Sequence, residues 1–147
     1  MKKVILAVIA VVCINFNLAA QDIEQDITYY KLLNKLWTMS SGFDKVAFHL
    51  ENQSVELEKI RTTELKALTE LRSEVANDFA LLKTKNYDEA AYLKLENMIA
   101  AIDDSLKDLK GEQWTSDTMW QFGYNVVKMN LGDMGKQKPD IKHLSQN

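Results

Sequence analysis

The sequence has little of the material from which turns and disulfide scaffolds are built. It contains one proline, five glycines and one cysteine in 147 residues. Because β-turns depend largely on glycine and proline, this scarcity favours an all-α protein. The single cysteine, Cys13, lies in an apolar run near the N-terminus, so the rest of the chain offers neither a disulfide nor a thiolate ligand for a metal.

Motifs for metal, haem and nucleophilic chemistry are missing as well. The only histidines are His49 and His143, and neither belongs to a Glu-x-x-His or Cys-x-x-Cys-His motif of di-iron or haem proteins. No Gly-x-Ser-x-Gly elbow is present. The net charge of −3 gives no case for nucleic-acid binding, which usually requires a basic domain. We therefore predict a non-enzymatic protein without cofactor or metal that does not bind nucleic acid.

The N-terminus has the layout of a bacterial Sec-type signal peptide. Lys2 and Lys3 precede an apolar run over residues 4–14, and small residues follow up to Ala20. We expect cleavage before Gln21, which would place the product in the periplasm or outside the cell. Retention of residues 1–20 as a membrane anchor is the alternative, although a bilayer span needs about 20 apolar residues.

Hydrophobic periodicity predicts four helices in the rest of the chain. Ser40-Ser41-Gly42 is expected to end the first, and Asn86 with Glu89 to cap the third after a tight turn. In the last helix one apolar face is made of Met119, Phe122, Val126 and Met129, and Trp120, Tyr124 and Val127 lie beside it. The predicted ranges are 22–39, 43–85, 87–110 and 117–131.

These lengths predict an all-α fold with a long helical hairpin. Helices of 43–85 and 87–110 would be about 64 Å and about 36 Å long, so they pair over only part of their length. We expect a two-helix arm with coiled-coil-like packing, carried on a three-helix base rich in aromatic residues. Residues 21–131 would form this single domain, and residues 132–147 a flexible tail.

Apolar residues outside the predicted seam of the arm indicate a contact surface for a partner. These candidate partner-binding residues are Leu65, Leu81, Leu93 and Ile99. The alternative is that they broaden the seam between the two helices. In the base, Trp37, Trp114 and Trp120 are candidates for lining a small-molecule pocket, and packing in the core explains them equally well.

The sequence thus favours an exported helical protein that acts by protein–protein contact. It would serve as an adaptor, a chaperone-like protein or an accessory subunit of an envelope assembly, with another protein or a second copy of itself as partner. Its predicted shape resembles that of exported helical-hairpin adaptors, chaperones and minor subunits of secretion machines. The rival hypothesis is a soluble carrier that binds an apolar small molecule in the aromatic base.

Overall fold

The computed structural model describes the backbone of residues 2–84 and 89–136, and the side chains of residues 27–84 and 89–134. Within these residues all regular structure is helical, so the predicted all-α class is confirmed. The four helices are α1 (Lys2–Glu51), α2 (Leu57–Lys83), α3 (Glu89–Lys110) and α4 (Met119–Lys136).

The helices form an up-down-up-down bundle. Each packs against two neighbours, in the cyclic order α1, α2, α3, α4 and back to α1. Ion pairs show that α1 and α2 run in opposite directions, since Lys35 bonds to Asp78 whereas Lys45, further along α1, bonds to Glu64 near the start of α2. The predicted hairpin is present as α2 and α3. It does not stand free as an arm, because α1 covers α2 and α4 covers α3.

The predicted end of the first helix at Ser40-Ser41-Gly42 is wrong, since α1 continues through it to Glu51. Both serine hydroxyls donate to the carbonyl of Trp37, at 2.9 and 3.0 Å, and so bond within the helix instead of capping it. Gly42 is a packing residue. A Cβ at this position would lie 3.0 Å from Leu68 of α2, so the missing side chain lets the two helices approach closely.

The chain reverses instead between α1 and α2, within the predicted long helix 43–85. Gln53 has a left-handed φ of 48°, and its amide donates to the carbonyl of Leu50 at 3.1 Å. The amide of Ser54 donates to the carbonyl of His49 at 3.0 Å. This pair of bonds is a Schellman motif, which satisfies the last carbonyls of a helix and stops it. The predicted long helix is therefore divided between the last turns of α1 and the whole of α2, and this reversal makes a four-helix bundle possible.

The buried aromatic residues gather at the end of the bundle where α1 ends and α4 begins. We call Phe43, Trp114, Trp120 and Tyr124 the aromatic cluster. The ring of Phe43 stacks on that of Tyr124, with 5.5 Å between the ring centroids. The ring centroid of Trp120 lies 6.0 Å from that of Tyr124 and 6.4 Å from that of Trp114. The indole N–H of Trp120 donates to the carbonyl of Trp114 at 2.9 Å, so its polar atom is satisfied inside the core. This confirms the predicted concentration of aromatic residues at one end of the fold.

Some predicted features fall outside the described residues. Of the predicted signal peptide, residue 1 lies outside the described backbone, and residues 2–20 belong to the part of α1 whose side chains are not described. The predicted cap at Asn86 and residues 137–147 of the predicted tail are outside the described backbone. Helix α4 ends at Lys136, five residues beyond the predicted end at residue 131.

Candidate functional site

Helix α4 has an apolar face on each side. Its inner face follows a four-three spacing and fills the core with Trp120, Tyr124, Val127, Leu131 and Met134. A second set of large apolar residues points away from the core along the same helix. An amphipathic helix at a protein surface normally has a polar outer face, so this second set is not explained by folding.

We call this second set, Met119, Phe122, Val126 and Met129, the outer stripe. Met119, Phe122 and Met129 are 61%, 66% and 73% exposed, and Val126 is partly buried. The members are spaced three, four and three residues apart, which places them along one side of the helix. Contiguous exposed apolar residues of this kind are typical of a protein-contact surface.

The outer stripe lies in a stretch of α4 with almost no charge. Lys128 is the only charged residue between Met119 and Gly132. Its ammonium nitrogen lies 2.8 and 2.9 Å from the two carboxylate oxygens of Asp44 on α1, and 5.8 Å from the ring centre of Tyr124. The one charge in the stretch therefore joins α4 to α1 and does not solvate the outer face.

The phenol of Tyr124 belongs to the same contact between α1 and α4. Burial raises the pKa of Tyr124 well above its ordinary value, and the nearby carboxylate of Asp44 raises it further because it opposes a second negative charge. Tyr124 is therefore held in its neutral form by the fold. Its role is structural, since its ring fills the core between α1 and α4.

On the α3 side, the outer stripe is bordered by small residues. A Cβ at Gly123 would lie 2.2 Å from the hydroxyl oxygen of Ser105 and 3.0 Å from the carbonyl oxygen of Ala101. The backbones of α3 and α4 are therefore close together, and the groove between them is shallow.

The four partner-binding residues proposed from the sequence do not form one surface. Leu93 on α3 is 60% exposed and Leu81 on α2 is 46% exposed, both near the turn between these helices. Leu65 is partly buried against the core.

Ile99 is 7% exposed and lies in the core, not at the flank where the sequence predicts it. It lies on the side of α3 that faces α2, since Asp103, four residues further on, bonds to Arg72, and Tyr92, seven residues before it, donates to the carbonyl of Leu82. Ile99 therefore broadens the seam between the two helices.

The three tryptophans also do not converge on one pocket. Trp114 and Trp120 are buried and contact each other in the aromatic cluster, whereas Trp37 is 41% exposed and lies outside this cluster. The guanidinium of Arg61 lies 5.0 Å from the ring centre of Trp114 and donates to the carbonyl of Leu109 at 3.0 Å. Trp114 also lines an open depression among charged residues, whereas Trp37 and Trp120 do not.

In the part of the chain that the structure describes, no three histidine, cysteine, aspartate or glutamate side chains come together in a way that could hold a metal ion. None of the helices in the described part of the chain has the length and apolar character needed to cross a membrane. The described residues line two open depressions, both with charged residues in their walls. One includes Lys83, Glu89, Leu93 and Glu96, and the other Lys107, Asp108, Glu112 and Asp117.

Sequence reasoning found the residues of the outer stripe but gave no indication that they face solvent. The two faces differ in the length of their apolar pattern. The inner set continues with the same spacing through Leu131 to Met134, whereas the outer stripe ends at Met129. The glycines at 132 and 135 hid this continuation, because glycine normally marks the end of a helix.

Comparison with protein-family models, curated proteins and solved structures finds no match to this chain.

Proposed function

We propose that this chain is an exported helical protein that acts by protein–protein contact through the outer stripe of α4. It would work as an adaptor, a chaperone-like protein or an accessory subunit of an envelope assembly, without catalysing a reaction. The observation that carries the proposal is the outer stripe itself: three large apolar side chains more than half exposed, in a stretch whose one charge is bonded to Asp44. Desolvating such a surface is favourable, because it buries apolar area and leaves no unpaired charge.

The chemistry of the stripe fits a protein partner. Two of its members are methionines, whose unbranched thioether side chains adapt to differently shaped apolar surfaces. Phe122 offers a large anchor near the middle of the stripe, of the kind that dominates the energy of many interfaces.

The carrier hypothesis has less support. It requires a pocket lined by Trp37, Trp114 and Trp120, yet two of these rings pack in the core and the third lies apart from them. Saturable quenching of tryptophan fluorescence by an apolar probe, at one probe per chain, would favour the carrier over the contact protein.

A pull-down from the envelope fraction of the source cell tests the proposal. The bait is the tagged protein, compared with the double variant Phe122→Glu, Met129→Glu and with Leu93→Glu as a matched exposed-leucine control. We expect the wild type and Leu93→Glu to capture the same partner, which is either another protein or an untagged copy of the chain. The double variant should not capture it. Equal capture by all three baits would show that the outer stripe does not bind the partner.

Export is tested separately, by the intact mass of the chain recovered from the envelope. We expect a product that begins at Gln21, because Ala20 supplies the small residue that signal peptidase requires. A mass that includes residues 1–20 would instead indicate an anchored protein.

A further inference from the structure

We infer that the partner of the outer stripe is a basic amphipathic helix of another protein. The inference rests on the proposed function, since it names the chemistry of the partner that binds the same surface. Three features of the described residues carry it: the spacing of the stripe, the carboxylates of α3 that lie beside it, and the charge at its first residue.

The spacing of the outer stripe favours a helical partner. Its members follow steps of three, four and three residues, which are those of the seam between two packed helices. The stripe is about 15 Å long from Met119 to Met129. An amphipathic helix that binds an apolar surface uses anchors with the same spacing on its own apolar face. We therefore expect about three turns of the partner helix to contact the stripe.

Two carboxylates of α3 lie beside the outer stripe. A Cβ at Gly123 would lie 3.0 Å from the carbonyl oxygen of Ala101, so this turn of α3 lies against the middle of the stripe. Asp104 and Asp108 follow Ala101 by three and seven residues and therefore share its side of α3. Asp108 also lines one open depression together with Asp117, whose carboxylate accepts from the amide of the first residue of α4 at 2.9 Å. We call Asp104 and Asp108 the acidic border.

The acidic border differs in its bonding from the carboxylates on the other side of α3. On the side that faces α2, Asp103 bonds to Arg72 at 2.6 Å and Glu96 bonds to Lys83 at 2.9 Å. Neither side chain of the acidic border forms an ion pair or a hydrogen bond with another described residue. Bonds between helices therefore account for the carboxylates that face α2, and they do not account for the acidic border.

The depression at the start of the outer stripe adds negative charge. Asp108, Glu112 and Asp117 contribute three carboxylates to its walls, and Lys107 contributes one ammonium group. Asp117 comes two residues before Met119, the first member of the stripe. A lysine or arginine at the end of a bound helix would therefore meet an excess of carboxylates here.

A second copy of the chain fits this surface less well than a basic helix. It would bring the same acidic border to the interface. The one positive charge on its own outer stripe segment, Lys128, is bonded to Asp44 and is not available to a partner. Like charges across an interface are unfavourable, whereas complementary charges select the partner and its orientation. An anionic lipid surface would be repelled for the same reason.

The binding of two model peptides, measured by fluorescence anisotropy, tests the inference. Both are amphipathic helices of about 14 residues with the same leucine face, and their polar faces consist of lysines in one and glutamates in the other. We expect the full chain, purified from an envelope fraction, to bind the lysine peptide at least about 10-fold more tightly than the glutamate peptide. Added salt should weaken the binding of the lysine peptide, because it screens exposed charges.

A pair of matched variants tests the acidic border. Asp104→Asn, Asp108→Asn should bind the lysine peptide about 3- to 30-fold more weakly than the wild type, as expected for the loss of two exposed ion pairs. Glu70→Gln, Glu89→Gln removes two exposed carboxylates from other parts of the bundle and should bind like the wild type. Circular dichroism checks that both proteins are folded.

A third variant tests the outer stripe with the same peptide. Phe122→Ser, Met129→Ser removes two apolar anchors without adding charge, so it should bind the lysine peptide at least about 30-fold more weakly. The same variant serves as a bait in the envelope pull-down, where it should not capture the partner of the wild type. We expect the captured partner to contain an amphipathic helix with lysine or arginine beside its apolar face.

Several outcomes would overturn the basic helix and leave the proposed function standing. These are equal binding of the two peptides, no binding of the lysine peptide by the wild type, and full binding by the variant without the acidic border. A captured partner that is a second copy of the chain, or that has no basic amphipathic helix, would do the same.

Other outcomes would overturn both proposals. One is a serine variant that binds the lysine peptide and captures proteins as the wild type does. The other is binding to vesicles of anionic phospholipid that is lost in the serine variant, since the occupant of the stripe would then be a membrane.

Discussion

Gly123 of α4 lies so close to Ser105 of α3 that a Cβ at position 123 would be 2.2 Å from the serine hydroxyl oxygen. The hydroxyl is held in place, because it donates to the carbonyl of Ala101 at 2.8 Å. This contact sets the spacing between α3 and α4, and with it the depth of the groove beside the outer stripe.

Gly123→Ala should therefore destabilise the protein, by about 1–3 kcal/mol, because the added methyl group forces the two helices apart. Urea denaturation measures the change. Gly132→Ala is the matched control on the same helix, since a Cβ there meets nothing within 4 Å. The control should be neutral or stabilised by up to about 1 kcal/mol, through the higher helix propensity of alanine. An equal loss of stability in both variants would show that the close contact has no energetic role.

The turn between α1 and α2 should be improved by glycine. Gln53 has a left-handed φ of 48°, a conformation that costs a residue with a Cβ roughly 1–2 kcal/mol and costs glycine nothing. We expect Gln53→Gly to stabilise the protein by about 0.5–1 kcal/mol, since glycine also loses more entropy on folding. Gln53→Ala keeps the Cβ and should not gain stability. A destabilised glycine variant would mean that the Gln53 side chain makes a favourable contact.

The tryptophans should differ in their effect on stability. Trp120 is fully buried in the aromatic cluster, so Trp120→Ala should cost about 3–5 kcal/mol. Trp37 is 41% exposed, and Trp37→Ala should cost about 1 kcal/mol or less. From the sequence alone both residues are candidates for the same core or pocket. Equal losses in the two variants would mean that Trp37 is also part of the core.

Alkaline pH should weaken the contact between α1 and α4 through Tyr124. Burial and Asp44 raise the pKa of this phenol in the folded protein, whereas in the unfolded chain it ionises near its ordinary pKa of about 10. The contribution to stability is therefore complete below pH 10 and is lost as the pH rises beyond that value. We expect Tyr124→Phe to reduce the loss of stability between pH 9 and pH 11, measured by urea denaturation. An unchanged pH profile would mean that the Tyr124 phenol ionises as readily in the folded protein as in the unfolded chain.

The helical class and the apolar periodicities could be predicted from the sequence, because both depend on local residue patterns. The helix boundaries could not. Ser40 and Ser41 bond back to the carbonyl of Trp37, and Gly42 serves a contact with Leu68, so three residues that normally end a helix lie within one. The actual turn is centred on Gln53, a residue with no turn preference that could be recognised in the sequence.

The identity of the exposed surface also could not be predicted. Both faces of α4 are apolar, and which one is buried depends on where α1 and α3 lie. In the same way Ile99 is 7% exposed, on the side of α3 where Tyr92 and Asp103 bond to α2. These outcomes are set by tertiary packing, so a pattern within one helix does not contain them.

Site-specific photocrosslinking in living cells tests the role of the outer stripe most directly. A photoreactive phenylalanine analogue replaces Phe122, and the control carries the same analogue at Phe48, which is 62% exposed near the end of α1. The analogue at position 122 should give a crosslinked protein adduct on irradiation, with twice the mass of the chain if the partner is a second copy. The analogue at position 48 should give none. Absence of an adduct at position 122, with the protein folded and present in the envelope, would contradict the proposal that this surface binds a protein.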